Sequence, residues 1–204
     1  MKRFPFLTCG LAALAVAIAL IPGATELFQF DRSAALGSVQ WSRLFTAHLT
    51  HFEADHLRWD VLALLLLGTL AERTDRRATA LTLLLAAPAI GLGVLLFQPH
   101  FDTYRGLSGL DSALYGLITA RLLVDGWRER HDFTISIAAL ALIGFVLKTG
   151  FELLTAETVF SDSLTFAPVP LAHLIGLGVG CAVAFGSQAP NLDNPLNRHA
   201  SFAH

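Results

Sequence analysis

The sequence predicts an all-α integral membrane protein of six transmembrane helices with a long outer loop between the first and second, and three observations predict it. Hydrophobic residues make up 54% of the 204 and charged residues only 15%, too apolar a balance for an ordinary soluble domain. Mostly apolar runs, each of about the length that crosses ~30 Å of hydrocarbon, fall at 5–22, 56–71, 79–97, 106–124, 133–153 and 170–187. Basic residues divide unevenly between alternate loops. One side collects Lys2, Arg3, Arg73, Arg76, Arg77, Arg121, Arg128, Arg130 and Arg198, and the other keeps Arg32, Arg43, Arg58, Arg105 and Lys148. The asymmetry places both termini in the cytoplasm.

Lys2 and Arg3 ahead of an apolar core give the first run the look of a signal peptide, but five further spans favour a retained helix. Cys9 follows Thr8 rather than the small residue that a lipoprotein signal favours, and Cys9 and Cys181 lie in different spans. Neither a disulfide nor a metal site is expected from them. The net charge of −2 and the lack of a basic stripe with interleaved aromatics exclude nucleic acid as a partner. One membrane domain, 1–187, and a short polar tail, 188–204, account for the chain.

The outer segment 23–55 mixes Leu27, Phe28, Phe30, Trp41, Leu44 and Phe45 with charges, as a segment lying in the membrane interface does, with Trp41 as its anchor. Its end holds His48, His51 and His56, spaced HxxHxxxxH, which is not a tight helical ligand pair, and no metal is expected there. His56 and Asp60 stand four residues apart at the head of the second span, on one helix face. An ionised group at the bilayer centre costs roughly 2.5 to 3.5 kcal/mol, so such a carboxylate faces a wet cavity or a partner. The inner turn 71–78 is short and charged, a topological anchor. Pro88, Gly91 and Gly93 in the third span predict a kinked or thin packing helix.

The fourth span opens with Gly106-Leu107-Ser108-Gly109, a serine between two glycines at the mouth of a helix. Gly106 and Gly109 let the backbone come close to another chain and leave room for amide hydrogens to point at a bound carbonyl. Gly109, Ala113, Gly116 and Ala120 then recur at steps of three and four, a smooth face for close helix approach in lipid. On that stretch alone, packing explains the pattern better than chemistry does. The fifth span carries Lys148 and Glu152 near its outer end, read as an exposed or snorkelling ion pair. The outer loop at about 154–169 could cap a site. Pro170 starts the sixth span, in which His173 is followed by Gly176 and Gly180. At 1.5 Å per residue, Ser108, His56, Asp60 and His173 fall within a turn or two of one level.

With GxSG at Gly106–Gly109, HxxGxxxG at His173–Gly180 and the run from Arg43 to Asp60, the sequence resembles the rhomboid intramembrane serine proteases. The resemblance implies a six-helix bundle that cleaves transmembrane protein substrates near the outer face of the bilayer, without a cofactor. Ser108 would be the nucleophile and His173 the base, while His56 and the Ser108 amide would bind the oxyanion, with Asp60, Gly106 and Gly109 in support. By position, Trp59 and Phe151 resemble a side gate for substrate entry, a place that core packing explains as readily. Neutral imidazole can take a serine proton and return it to a leaving amine. The sequence offers no evident third group to orient His173.

Three positions depart from the family pattern. Asp60 stands where Asn is usual, and an ionised carboxylate would repel an oxyanion, so Asp60 is either protonated or serves another function such as holding His56. Ser112 stands where an aromatic often stacks on the base, and Trp41 is one residue further from Arg43 than usual. The short termini and Asp60 are similar to a bacterial rhombosortase-like branch associated with removing C-terminal GlyGly-type sorting tails, which implies a bacterial inner membrane. An aspartyl pair, Asp60 with Asp111, is an alternative that leaves both histidines unexplained. A catalytically inactive rhomboid-like protein that binds transmembrane helices is the alternative of another class. A proton-coupled carrier would need inverted halves that the chain lacks.

Overall fold

The computed structural model describes residues 4–38, 40–155, 157 and 168–187. A first long helix, α1 (Phe6–Leu20), leads into short elements: α2 (Ala24–Phe28), strand β1 (Phe30–Asp31), α3 (Arg32–Gly37), α4 (Arg43–Thr46) and a 3-10 turn, Ala47–Leu49. Long helices follow: α5 (Ala54–Thr74), α6 (Arg76–Phe97), α7 (Ser108–Glu129), α8 (Asp132–Thr155) and α9 (Pro170–Ser187), with strand β2 (Thr103–Tyr104) before α7. Each long helix covers one of the apolar runs. The tail 188–204 and most of the expected cap at 154–169 lie outside the described residues.

Among the described residues, three helices are long and apolar enough to cross a membrane, α6, α8 and α9. Helix α1 is apolar but has 15 residues. The other two are long but polar in places, α5 through His56, Asp60 and Glu72 and α7 through Asp111 and Arg121. The expectation of six spans thus goes further than the helices alone support.

Local chemistry explains the breaks. Asp75 caps α6, its Oδ1 accepting from the Ala78 amide at 3.0 Å, while its Oδ2 takes Arg121 of α7 at 2.7 Å. Glu72, buried on α5, accepts from the Leu7 and Thr8 amides at 3.2 and 2.9 Å and from Arg76 at 3.0 Å, so it caps α1 from a distance. The charged turn is therefore a clasp as well as an anchor. Helix α6 runs through Pro88 without interruption.

The segment between α1 and α5 is built of short folded elements. Phe30 pairs with Tyr104 and Asp31 with Thr103, joining it to the entry of α7. The Arg32 guanidinium donates to the carbonyls of Val94, Leu95, Gln98 and Phe101 at 2.7 to 3.1 Å, tying down the end of α6 and the turn beyond it. Trp41 stays 47% exposed.

Helix α7 is the axis of the bundle, with Ala113, Leu114 and Leu117 almost wholly buried. Its small-residue face meets α9. A Cβ added at Gly176 or Gly180 would run into the carbonyls of Gly109 and Ala113, and one at Gly116 into that of Leu177. Only glycine permits this approach, and it sets the heads of α7 and α9 side by side.

Candidate active site

Ser108 is the first residue of α7 and His173 lies in the first turn of α9. The close seam between these helices brings His173 Nε2 to 3.1 Å from Ser108 Oγ. His173 is 6% exposed, while Ser108 is half-buried. On its other side, His173 Nδ1 lies 3.2 Å from Glu152 Oε2, a carboxylate only 3% exposed. Lys148 Nζ is 2.8 Å from Glu152 Oε1 and 3.3 Å from His173 Nδ1. Sequence reasoning read Lys148 and Glu152 as an exposed pair and saw no third group for His173. Burial of Glu152 corrects that reading: one turn of α8 separates the two residues, and the carboxylate turns inward because α9 supplies a donor there.

Asp60 anchors a second cluster. Its Oδ2 accepts from the amides of Leu107 at 2.8 Å and Ser108 at 3.1 Å and from His51 Nε2 at 3.1 Å, and it lies 3.3 Å from His56 Nε2. Burial pushes the His51 imidazole below its usual range, so neutral His51 donates its Nε2 hydrogen to this oxygen. Sequence reasoning did not single out His51 for this place. The turn that offers both amides depends on Gly106, whose φ of +126° favours glycine, and a Cβ there would stand 2.9 Å from the His56 ring. The amide hydrogens predicted to point at a bound carbonyl thus point at a carboxylate.

The remaining expected residues divide. Gly109 serves packing, since its missing Cβ leaves room for Ile90, the Tyr104 hydroxyl and the Ala172 carbonyl. Ser112 donates to the Ser108 carbonyl at 2.7 Å rather than touching the base. Trp59, 43% exposed, lines a cavity of about 480 Å³ between α5, α7 and α8 that reaches Ser108 and Asp60. Phe145 and Lys148 line its α8 wall, whereas Phe151, 45% exposed, does not. Both carboxylate oxygens of Asp111 are buried without a hydrogen-bond partner among the described residues, so Asp60 and Asp111 do not form the bonded pair of an aspartyl protease. Among the described residues no group of His, Cys, Asp and Glu is arranged to hold a metal ion.

Chemically, the arrangement offers a hydroxyl with a base on it, a carboxylate behind the base, and a largely apolar cavity leading to the hydroxyl. Residues 38–188 match a family model described as the Rhomboid domain. No curated protein matches the chain.

Proposed function

We propose, starting from the fact that the chain belongs to the rhomboid family, that this multi-pass membrane protein is an intramembrane serine endopeptidase acting through Ser108 and His173. The observation that carries the reading is the 3.1 Å separation of Ser108 Oγ and His173 Nε2 at the head of a cavity walled by α5, α7 and α8. As Oγ attacks the substrate carbonyl carbon, its proton passes to Nε2 and then to the leaving amine. Water, deprotonated by the same nitrogen, releases the acyl group. His56, beside Ser108 through Asp60, is the donor proposed for the oxyanion, with Gly106 shaping that turn.

The substrates are transmembrane segments of membrane proteins, cut near the outer face. A peptide bond inside a helix is shielded by its own hydrogen bonds, so segments that fray through Gly, Pro or small polar residues are favoured. Trp59 lines the cavity and is the residue proposed to border the side entry, whereas Phe151, the second expected gate residue, lies outside that lining. Removal of GlyGly-type sorting tails in a bacterial inner membrane, by a six-span chain with both termini cytoplasmic, is the finer form of this proposal.

One observation favours the inactive helix-binding reading. The amide of Ser108, a proposed oxyanion donor, is taken by Asp60 Oδ2, and a carboxylate there repels negative charge. Labelling of the purified, detergent-solubilised protein with a fluorophosphonate probe decides between the two. An adduct on the wild type that is lost in Ser108→Ala and His173→Ala is expected. A folded wild type that takes no label would sink the protease and leave the helix binder.

A further inference from the structure

We infer that Glu152 is a positioning residue that turns the pair into a Ser108–His173–Glu152 relay; this rests on the protease reading above. The imidazole has two nitrogens, and the hydrogen on one decides what the other can do. If Nδ1 carries the hydrogen and donates it to Glu152 Oε2 at 3.2 Å, Nε2 keeps a lone pair for the Ser108 proton at 3.1 Å. If instead Lys148 donates to Nδ1, Nε2 carries the hydrogen and cannot act as a base.

The two oxygens of Glu152 resolve this competition. Oε1 holds the Lys148 ammonium at 2.8 Å, and Oε2 faces the ring. Lys148 lies 3.3 Å from Nδ1, further than from the carboxylate, and its charge offsets the cost of keeping Glu152 ionised at 3% exposure. During attack the Oγ proton moves to Nε2 while Nδ1 keeps its own. Glu152 stays ionised and steadies the imidazolium that forms, taking up no proton. Lys148 thus acts as counter-ion to Glu152, and the pair belongs to the site rather than to the membrane surface.

The test uses the full chain in detergent. Fluorophosphonate labelling rates are compared for wild type, Glu152→Gln, Glu152→Ala and Glu152→Asp, each checked for a folded helical spectrum. The tautomer of His173 is read from its ¹⁵N ring shifts, assigned against His173→Ala. The wild type should show hydrogen on Nδ1. Glu152→Gln and Glu152→Ala should label about 10²-fold more slowly or worse, given the far larger loss seen when a triad carboxylate is amidated elsewhere. Glu152→Asp should recover part of the rate, and Glu152→Gln should move the hydrogen to Nε2.

Labelling of folded Glu152→Gln and Glu152→Ala within threefold of wild type overturns the inference. So does a slow Glu152→Gln with the tautomer unchanged and no recovery in Glu152→Asp, which is the signature of a structural role. Should these variants fail to fold, hydrogen on Nε2 in the wild type is by itself enough to reject it. A wild type that takes no label is a different result, since it removes the protease reading and the relay together.

Discussion

The two ends of the bundle both bury carboxylates, yet they use them differently. At the end away from Ser108, Glu72 and Asp75 are answered by backbone amides and by the guanidinium groups of Arg76 and Arg121. These partners hold a fixed charge, and the result is a clasp that ties α1, α5, α6 and α7. At the Ser108 end, histidines, whose hydrogens can move, join the backbone amides on Asp60 and the Lys148 ammonium on Glu152. Asp111 remains unpartnered there among the described residues, and a cavity opens beside it. Fixed partners give stability, and movable ones are suited to proton transfer.

Substitutions should break this contrast in order of size. Asp60→Ala leaves the Leu107 and Ser108 amides and His51 without their acceptor. We expect probe labelling to fall by about 10²-fold, the scale of a misplaced reacting group, because the turn carrying the nucleophile is no longer held. Labelling that survives in a folded Asp60→Ala would show that the turn holds itself. Glu72→Ala should do the reverse, costing about 1 to 3 kcal/mol of stability by leaving the buried Thr8 amide and hydroxyl without their acceptor, while the folded fraction labels within about threefold of wild type. Thermal melts with labelling normalised to folded protein read both effects. A labelling loss as large as that of Asp60→Ala would join the two ends functionally and undo the comparison.

Gly180→Val tests the seam between them. The new side chain meets the Ala113 carbonyl, so a loss of about 1 to 3 kcal/mol is expected, with weaker labelling as the heads of α7 and α9 part. Gly178→Ala on the same helix meets nothing within 4 Å and should melt like wild type; equal losses at both positions would argue against a specific contact. The smallest effect is at Asp75, whose carboxyl is held below its usual 3.8 by the Ala78 amide and by Arg121. A depressed acid contributes stability above its unfolded pKa and loses it as pH falls through the folded one. Stability from Asp75 should therefore be complete above about pH 4 to 5 and fade below that, amounting to less than about 1 kcal/mol because the side chain is 37% exposed and screened. Asp75→Asn should flatten this part of the acid melting curve, and an unchanged curve would remove Asp75 from the clasp.

Much of the scaffold was legible in the sequence because its causes are local. Apolar runs located the long helices, and the step of Gly109, Ala113 and Gly116 announced a close seam, as did Gly176 and Gly180. The depth argument put Ser108, His56, Asp60 and His173 at one level, and the structure brings them there. What stayed hidden depends on which way a side chain turns after distant helices pack. Glu152 spaced four from Lys148 reads as a surface ion pair until α9 places an imidazole beside it. His51 looked like part of a loose histidine cluster, and nothing local ties it to Asp60. Glu72 likewise looked like one charge in a topological turn, though its partners Leu7 and Thr8 lie at the far end of the chain.

That last contact also bears on how the chain is made. The amides of Leu7 and Thr8 emerge first, and the carboxylate that accepts them follows 64 residues behind Thr8. At synthesis rates of about 5 to 20 residues per second, Glu72 trails Thr8 by roughly 3 to 13 seconds. During that interval the first helix has no cap of its own and must be sheltered by water, headgroups or the insertion machinery. Closure of this contact therefore waits for the far end of α5, and a nascent chain truncated before Glu72 should leave its first helix open to exchange.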